Sequence, residues 1–325
     1  MTKPAMTTPA KQLRIGLLGA GPWAERTQAP ALAAHPGVAF HGVWARRPEA
    51  ATALAAAHGA TAYSGYGDDG IDALLSACDA VAFALPPDVQ APLAARAAAA
   101  GCHLLLDKPV ATTVAGALEA ARAAERAQVA SVVFCTLRFA ADTAPWIARQ
   151  AAADGWFTAR AQWLGSLYAP GGDSLYAASP WRREKGGLWD VGPHVLSVLL
   201  PVLGDVTAVT AARGPADTVH LVLRHASEAS STATLGLTAP PKAAGASIEF
   251  VGEQGTVALP SWGDAIGSFG AALDALLEAV RTGRAHDCDI RFGLRLTEIL
   301  AEAEAALEAE KAVEGKAVEG KPLMW

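Results

Sequence analysis

Residues 13–24 read LRIGLLGAGPWA, an apolar run that breaks into Gly19, Gly21 and Ala24 at G-x-G-x-x-A spacing. A strand that feeds a glycine turn and then a helix can bind a dinucleotide. Gly19 serves the tight turn, Gly21 lets the backbone approach a pyrophosphate, and Ala24 allows close helix-to-sheet packing. Pro22 and Trp23 belong to the same turn, and the helix start offers N–H groups and a partial positive charge to phosphate. In so alanine-rich a chain the string alone is weak, and its place directly after an N-terminal strand gives it weight.

Outward from this turn, residues 1–135 alternate apolar runs with helical stretches, as a doubly wound parallel sheet requires. Strands are expected at 14–18, 39–45, 80–85, 103–106 and 131–135, and helices at 49–58, 89–100 and 114–128. After Arg138 the texture changes to a helix at 142–153, a long strand at 156–168, a Pro/Gly-rich loop and a helix at 187–203. Strands at 206–213, 218–224, 231–238, 246–251 and 256–259 then follow without helices between them, which predicts antiparallel pairing. The expected fold class is α/β: an N-terminal Rossmann doubly wound parallel sheet over residues 1–136, then a C-terminal α+β domain with a mostly antiparallel open sheet over 137–325. Helices at 265–282 and 292–310 close the fold and are placed to pack back on the first domain, and the repeat KAVEGKAVEGK reads as a solvated end.

At 325 residues the chain exceeds what one core usually organises. A net charge of -6 without a basic run argues against nucleic acid as a partner. The first eleven residues hold no apolar signal core, and no apolar run reaches a bilayer's length uninterrupted, so neither a signal peptide nor a membrane span is expected. Cys78, Cys102, Cys135 and Cys288 lack metal-ligand spacing and read as buried free thiols in a reducing cytoplasm, with no metal site.

Cofactor choice is read at the end of the second strand. NAD sites usually place an acid there, roughly 20 residues after the glycines, to hold the ribose hydroxyls. This chain offers Ala45, Arg46, Arg47 and Pro48, and its first acid is Glu49, beyond the proline. Two guanidiniums without a competing carboxylate suit the 2′-phosphate of NADP, although the pair also reads as exposed arginines on a loop. Leu85, Pro86 and Pro87, after the third long strand, complete the expected cofactor surface.

Two further constellations carry chemistry. The apolar CHLLL runs into Asp107, Lys108 and Pro109, at a strand end that faces the ligand crevice. Lys108 there can protonate an oxygen beside a transferred hydride, or simply be a solvated lysine. In WRREKGGLWDVGPH, residues 181–194, Asp190 and His194 stand four apart, which on one helix would stack them on one face. A neutral imidazole there could take a proton, with the carboxylate orienting it or binding substrate. Asp190 as a helix cap and His194 as a core histidine are the plainer readings.

In this order the three motifs resemble the glucose-fructose oxidoreductase, inositol dehydrogenase and rhizopine catabolism (Gfo/Idh/MocA) family, from about Leu13 to the final helix. The EKP-like tripeptide is Asp107, Lys108 and Pro109, and the D-x-G-x-H helix is Asp190, Gly192 and His194. The resemblance implies that Lys108, Asp190 and His194 are catalytic and that the Lys108–Pro109 bond is cis. It also implies hydride transfer between nicotinamide C4 and a carbinol or carbonyl carbon of a sugar-like molecule. Asp107 replaces the usual Glu, Gln90 replaces a frequent His near the cofactor, and Ser197 replaces a frequent second Asp. Tyr168, Tyr176, Trp181 and Trp189 are candidates for an apolar substrate wall, and Arg138, Arg182 and Arg183 for meeting an anionic substituent.

The expected function is therefore an NADP-dependent oxidoreductase acting on a secondary alcohol or ketone, working as a cytoplasmic homo-oligomer, a dimer or tetramer through the C-terminal sheet. Imine reduction on the same fold, or a catalytically degenerate NADP-binding regulator, are the alternatives.

Overall fold

The computed structural model describes residues 12–65, 69–170 and 174–319, the last eight of these by backbone alone. Expectations for residues 1–11 and for the tail beyond 319 lie outside them. Strands β1 (Leu13–Leu18), β2 (Val38–Ala45) and β3 (Thr61–Ser64) are joined by α1 (Ala29–Ala34) and α2 (Pro48–Ala57), and α1 is preceded by a π turn at Ala24–Gln28. Helix α3 (Asp69–Ala77) leads to β4 (Ala80–Phe83), α4 (Pro87–Ala99), β5 (His103–Asp107), α5 (Val114–Ala127) and β6 (Ser131–Phe134). These strands form a parallel sheet in the order β3-β2-β1-β4-β5-β6. Helices cover both faces, so the central strands are buried and apolar throughout: LLL of β5 and all of β4 are sealed from water. The strand order reverses between β1 and β4, and a ligand crevice opens at the carboxyl ends of such a switch point.

Gly19 closes that switch point. Its φ is +121°, and an added Cβ would collide with the Ala84 carbonyl after β4. Its N–H donates to Trp44 O at 2.8 Å, and Ala84 N–H donates to Leu18 O at 2.8 Å.

The chain continues through α6 (Thr143–Ala151), β7 (Trp156–Leu164), α7 (Pro180–Asp190) and α8 (Gly192–Leu203). It then makes β8 (Val206–Arg213), β9 (Val219–His225), β10 (Ser230–Gly236), β11 (Gly245–Gly252) and β12 (Gly255–Ala258), and ends in α9 (Ala265–Thr282) and α10 (Ile290–Glu319). The second sheet runs β12-β11-β7-β10-β9-β8. Every pairing in it is antiparallel except β7 with β10. β7 is first in sequence yet lies inside the sheet, because α7 and α8 intervene before β8 and carry the chain to the far edge. The two closing helices do pack on the first sheet: Val133 N–H donates to Cys288 O at 2.7 Å, Ile290 N–H to Ser131 Oγ at 3.1 Å, and Phe269 meets Phe134 edge-on at 5.0 Å.

Several elements depart from expectation. β3 and α3 are a short, largely exposed edge strand and its helix, without the apolar run that marks the central strands. The helix expected at 187–203 is two helices, and the first begins at Pro180 and kinks at Gly186, where φ is +62°. α10 continues through 319, beyond the expected end at 310. The run Pro180–Leu203 is long and apolar enough to cross a bilayer, but its apolar 18-residue portion is 72% buried inside the protein. The four cysteines are free and buried, and burial pushes the thiols of Cys78 and Cys102 up to about 12 and about 11.

Gly187 sets how closely α7 approaches the second sheet, since a Cβ there would meet Gly236 Cα at 2.5 Å and N at 2.6 Å. Both contacts are backbone and cannot rotate away. Gly187→Ala should therefore cost about 1–3 kcal/mol, while Gly21→Ala, whose Cβ meets nothing within 4 Å, should stay within about 0.5 kcal/mol. Urea unfolding of both variants tests this, and equal midpoints would contradict it.

Candidate active site

A cleft of about 390 Å³ lies along the switch point, between the glycine turn and the ends of β2 and β4. Gly19 and Gly21 form its floor, Leu85 and Pro86 one wall, and Arg46 and Arg47 its outer end beside Ala45. Gly21 faces open space inside this cleft, so a cradle exists that a Cβ would fill. Both arginines are exposed, no carboxylate lines the cleft, and among the described residues neither arginine makes an ion pair. The residues present fit a dinucleotide. Ala24 is buried in the π turn, as its packing role requires, and Pro87 opens α4 facing inward.

Gln90 is not in this cleft. It is fully buried, and its Nε2 donates to the carbonyls of Asp107 (2.9 Å), Pro109 (3.2 Å) and Val110 (3.1 Å), while its Oε1 accepts from Asp107 N–H at 2.9 Å. An amide with both donor and acceptor can clamp a loop from two sides. Gln90 holds the chain that carries Lys108, and the Lys108–Pro109 bond in that loop is cis.

A second cleft, lined by Gly21, Trp23, Leu85, Lys108, Tyr176 and Trp181, leads from the glycine turn to a cavity of about 440 Å³. In that cavity Lys108, Arg182, Asp190 and His194 converge. Lys108 Nζ donates to the Asp190 carbonyl at 2.6 Å and to Asp190 Oδ1 at 3.2 Å. Arg182 Nε donates to the same Oδ1 at 3.0 Å. Burial would raise the Asp190 carboxyl, but the charges of Lys108 and Arg182 outweigh it and hold the group at about 2. Asp107, half-buried beside them, goes the other way: desolvation pushes it up to about 6 against the attraction of Lys108. Burial first, and then the Lys108 charge, drive the His194 imidazole well below its ordinary range, so the ring is neutral.

The expected pairing of Asp190 with His194 is not made. α7 ends at Asp190 and α8 starts after Val191, so the two residues do not share one helix face. The carboxylate turns to Lys108 and Arg182. His194 instead stacks on Trp163, with centroids 4.8 Å apart and planes at 15°, and its Nδ1 is buried with no hydrogen-bond partner among the described residues. Ser197 donates to the His194 carbonyl at 2.7 Å and stays in the helix.

Of the remaining candidates, Tyr176 and Arg182 line the cavity and Trp181 lines its entrance. Trp189 is fully buried on the other side of α7, with its indole N–H on Glu304 at 3.1 Å. Arg138 lies over the Phe292 ring and pairs with Asp287 at 3.4 Å. Tyr168 and Arg183 pack on each other in a separate cleft behind Arg182. Trp163, Thr136 and Ser166 line the cavity and were not expected there. Trp163 is one residue before the end of β7, a place that only the sheet pairing reveals. Among the described residues no group of three His, Cys, Asp or Glu could hold a metal ion.

Comparison with known proteins agrees with this architecture. The family description "Oxidoreductase family, NAD-binding Rossmann fold" (GFO_IDH_MocA) matches residues 13–134, and "GFO/IDH/MocA C-terminal domain" matches 148–258. The chain is 39% identical over 111 residues to dTDP-3,4-didehydro-2,6-dideoxy-alpha-D-glucose 3-reductase of Streptomyces antibioticus, a match that covers 34% of this chain and 32% of that protein. It is 33% identical over 219 residues to the enzyme of that name from Streptomyces violaceoruber, covering 66% of this chain and 61% of the relative. The matches thus span about a third and about three fifths of the length of these curated relatives. The WlbA dehydrogenase of Bordetella pertussis, solved with NADH and UDP-GlcNAcA, superposes with a TM-score of 0.79 at 22% identity, over 92% of this chain and 97% of that one. With both halves matched in order and the two sheets in place, the chain belongs to the Gfo/Idh/MocA oxidoreductase family.

Proposed function

We propose that this protein is an NADP-dependent oxidoreductase that interconverts a secondary alcohol and a ketone in a sugar-like small molecule. The observation that carries the reading is the convergence of Lys108, Asp190 and His194 in one cavity that opens into the glycine-turn cleft. When bound, the nicotinamide supplies or takes up a hydride at C4 of its ring. Gly19, Gly21 and the turn through Pro22, Trp23 and Ala24 would hold the pyrophosphate, Arg46 and Arg47 the 2′-phosphate, and Leu85 and Pro86 the adjoining wall. Residues 1–136 would form the cofactor unit and 137–325 the substrate unit, with the exposed face of the second sheet available for self-association.

In the reducing direction Lys108 Nζ donates to the carbonyl oxygen and carries the proton it needs. Asp190 keeps that ammonium in place, and His194 stands as a neutral group beside the same oxygen. The sugar-like substrate class follows from the two Streptomyces relatives and from a cavity that mixes aromatic walls with convergent polar groups.

Arg46→Ala should weaken NADPH by about 1.5–3 kcal/mol, one charge-assisted contact, and barely change NADH. WlbA was solved with NADH, which makes NADH the competing cofactor. Fluorescence titration of both nucleotides decides, and equal affinities in the wild type would overturn the NADP assignment.

Lys108→Met should slow single-turnover hydride transfer by roughly 100-fold or more with little change in NADPH affinity. Asp190→Asn should act in the same direction, because it loosens Lys108. Hydride transfer close to wild type in Lys108→Met would return that residue to a structural role.

The two shifted carboxyls also predict a pH signature. Asp107 is raised to about 6 from 3.8, so the folded state binds a proton that the unfolded state releases, and stability falls as pH rises from about 4 to about 6. Asp190, lowered to about 2, acts in a separate window, adding stability as pH rises from about 2 to about 4. Asp107→Asn should remove the loss between pH 4 and 6, worth on the order of 3 kcal/mol. Urea melts across that range test this, and parallel curves for both proteins would contradict it.

A further inference from the structure

The Arg182 side chain uses one donor on protein and keeps the rest. Nε is committed to Asp190 Oδ1 at 3.0 Å, and among the described residues the two terminal nitrogens have no hydrogen-bond partner. The guanidinium is about a quarter exposed. It lies over the Trp181 ring at 4.7 Å and the Tyr176 ring at 5.6 Å, so its plane is held by stacking on one side and by the carboxylate on the other. A guanidinium fixed by Nε and by aromatic faces presents its two terminal nitrogens as a preorganised fork, the geometry that takes a carboxylate or phosphoryl group bidentately.

The partners within the cavity agree. Lys108 and Arg182 share one oxygen of one carboxylate, Asp190. Asp107 also lines the cavity, and one of its oxygens accepts from the Lys108 backbone N–H. Among the described residues the terminal nitrogens of Arg182 are left over, and an incoming anion would take them. The serine at position 197 bonds within its helix and adds no acid to the cavity.

We propose that the substrate carries an anionic group, a carboxylate or a phosphoryl group, and that the terminal nitrogens of Arg182 receive it while Lys108 meets the reacting oxygen. This rests on the reading of the cavity as a sugar-type oxidoreductase site. Arg182 is here a specificity-determining residue. It couples recognition to chemistry, because the carboxylate that aims its fork also holds Lys108.

The test uses the full chain saturated with NADP+ and three probes: methyl glucoside, glucuronate and glucose 6-phosphate. Isothermal titration should show at least one anionic probe binding about 10-fold or more tighter than the neutral one, and which of the two does so separates carboxylate from phosphoryl recognition. In Arg182→Met that advantage should collapse to about 1-fold, and in Arg182→Lys, which retains a cation but no fork, it should fall several-fold. Equal binding of all three probes by the wild type, including no detectable binding of any, overturns the proposal. So does an advantage that persists in Arg182→Met or is undiminished in Arg182→Lys. If Arg182→Met does not fold, the Lys variant alone decides.

A further outcome separates this idea from its foundation. Should Arg182→Met lose NADP+ affinity 10-fold and keep its discrimination among the sugars, Arg182 serves the cofactor and the proposal fails. Rapid Lys108-dependent reduction of uncharged ketones by NADPH, with no preference for anionic ones, would leave the oxidoreductase reading standing and remove only the anion subsite.

Discussion

Asp190 Oδ1 takes a hydrogen bond from Lys108 at the end of β5 and another from Arg182 in α7, while the Asp190 carbonyl takes a third from Lys108. The side chains of Lys108 and Asp190 are only 12% and 13% exposed. Drawing ions that far from water costs more than one pairwise attraction returns, so such pairs persist when extra hydrogen bonds satisfy them. Here the second cation and the backbone carbonyl do so. The consequence is geometric, since one carboxylate ties the end of β5 to the helix that lines the cavity.

Two clamps keep this contact in register. Below it, the buried Gln90 amide ties together the backbone of Asp107, Pro109 and Val110. Above it, the Asp217 carboxylate accepts from Gly187 N–H at 3.1 Å, Leu237 N–H at 2.7 Å and Thr238 N–H at 3.1 Å, binding the kinked α7 to the strand end after β10. Neither residue lies in the cavity with Lys108 and His194. Each removes backbone freedom where small displacements of a reacting group are costly. The kink at Gly186 then lets α7 turn back, so that Arg182 and Asp190, eight residues apart in sequence, meet.

The glycine turn, the strand end carrying Lys108 and the helix carrying His194 were legible because each has a local signature: a fixed spacing, or a polar group directly after an apolar run. Contacts between distant segments were not. Nothing local in SPWRREKGG announces that Arg182 will meet Asp190, because the kink depends on Gly187 pressing against Gly236. The spacing of Asp190 and His194 misled because i,i+4 stacking presumes an unbroken helix, whereas a new helix starts at Gly192 with Pro193 in its first turn. Gln90 was read as a cofactor neighbour from the family resemblance, although its amide faces the loop that carries Lys108. The parallel pairing of β7 with β10 likewise has no local signal, as strand order in a mixed sheet is decided by which edges remain free.

The proton chemistry open to His194 follows from its unpartnered Nδ1. A buried N–H with no acceptor is costlier and rarer in folded proteins than a buried acceptor lacking one donor. With Nδ1 sealed against Trp163 and without a partner, the neutral ring is better served by carrying its proton on Nε2. In that tautomer His194 is a donor toward the cavity, as Lys108 is. Two donors converging on one oxygen would stabilise negative charge there, whichever way a reaction ran. The burial that keeps His194 neutral lets it be such a donor without adding a third positive charge to the cavity.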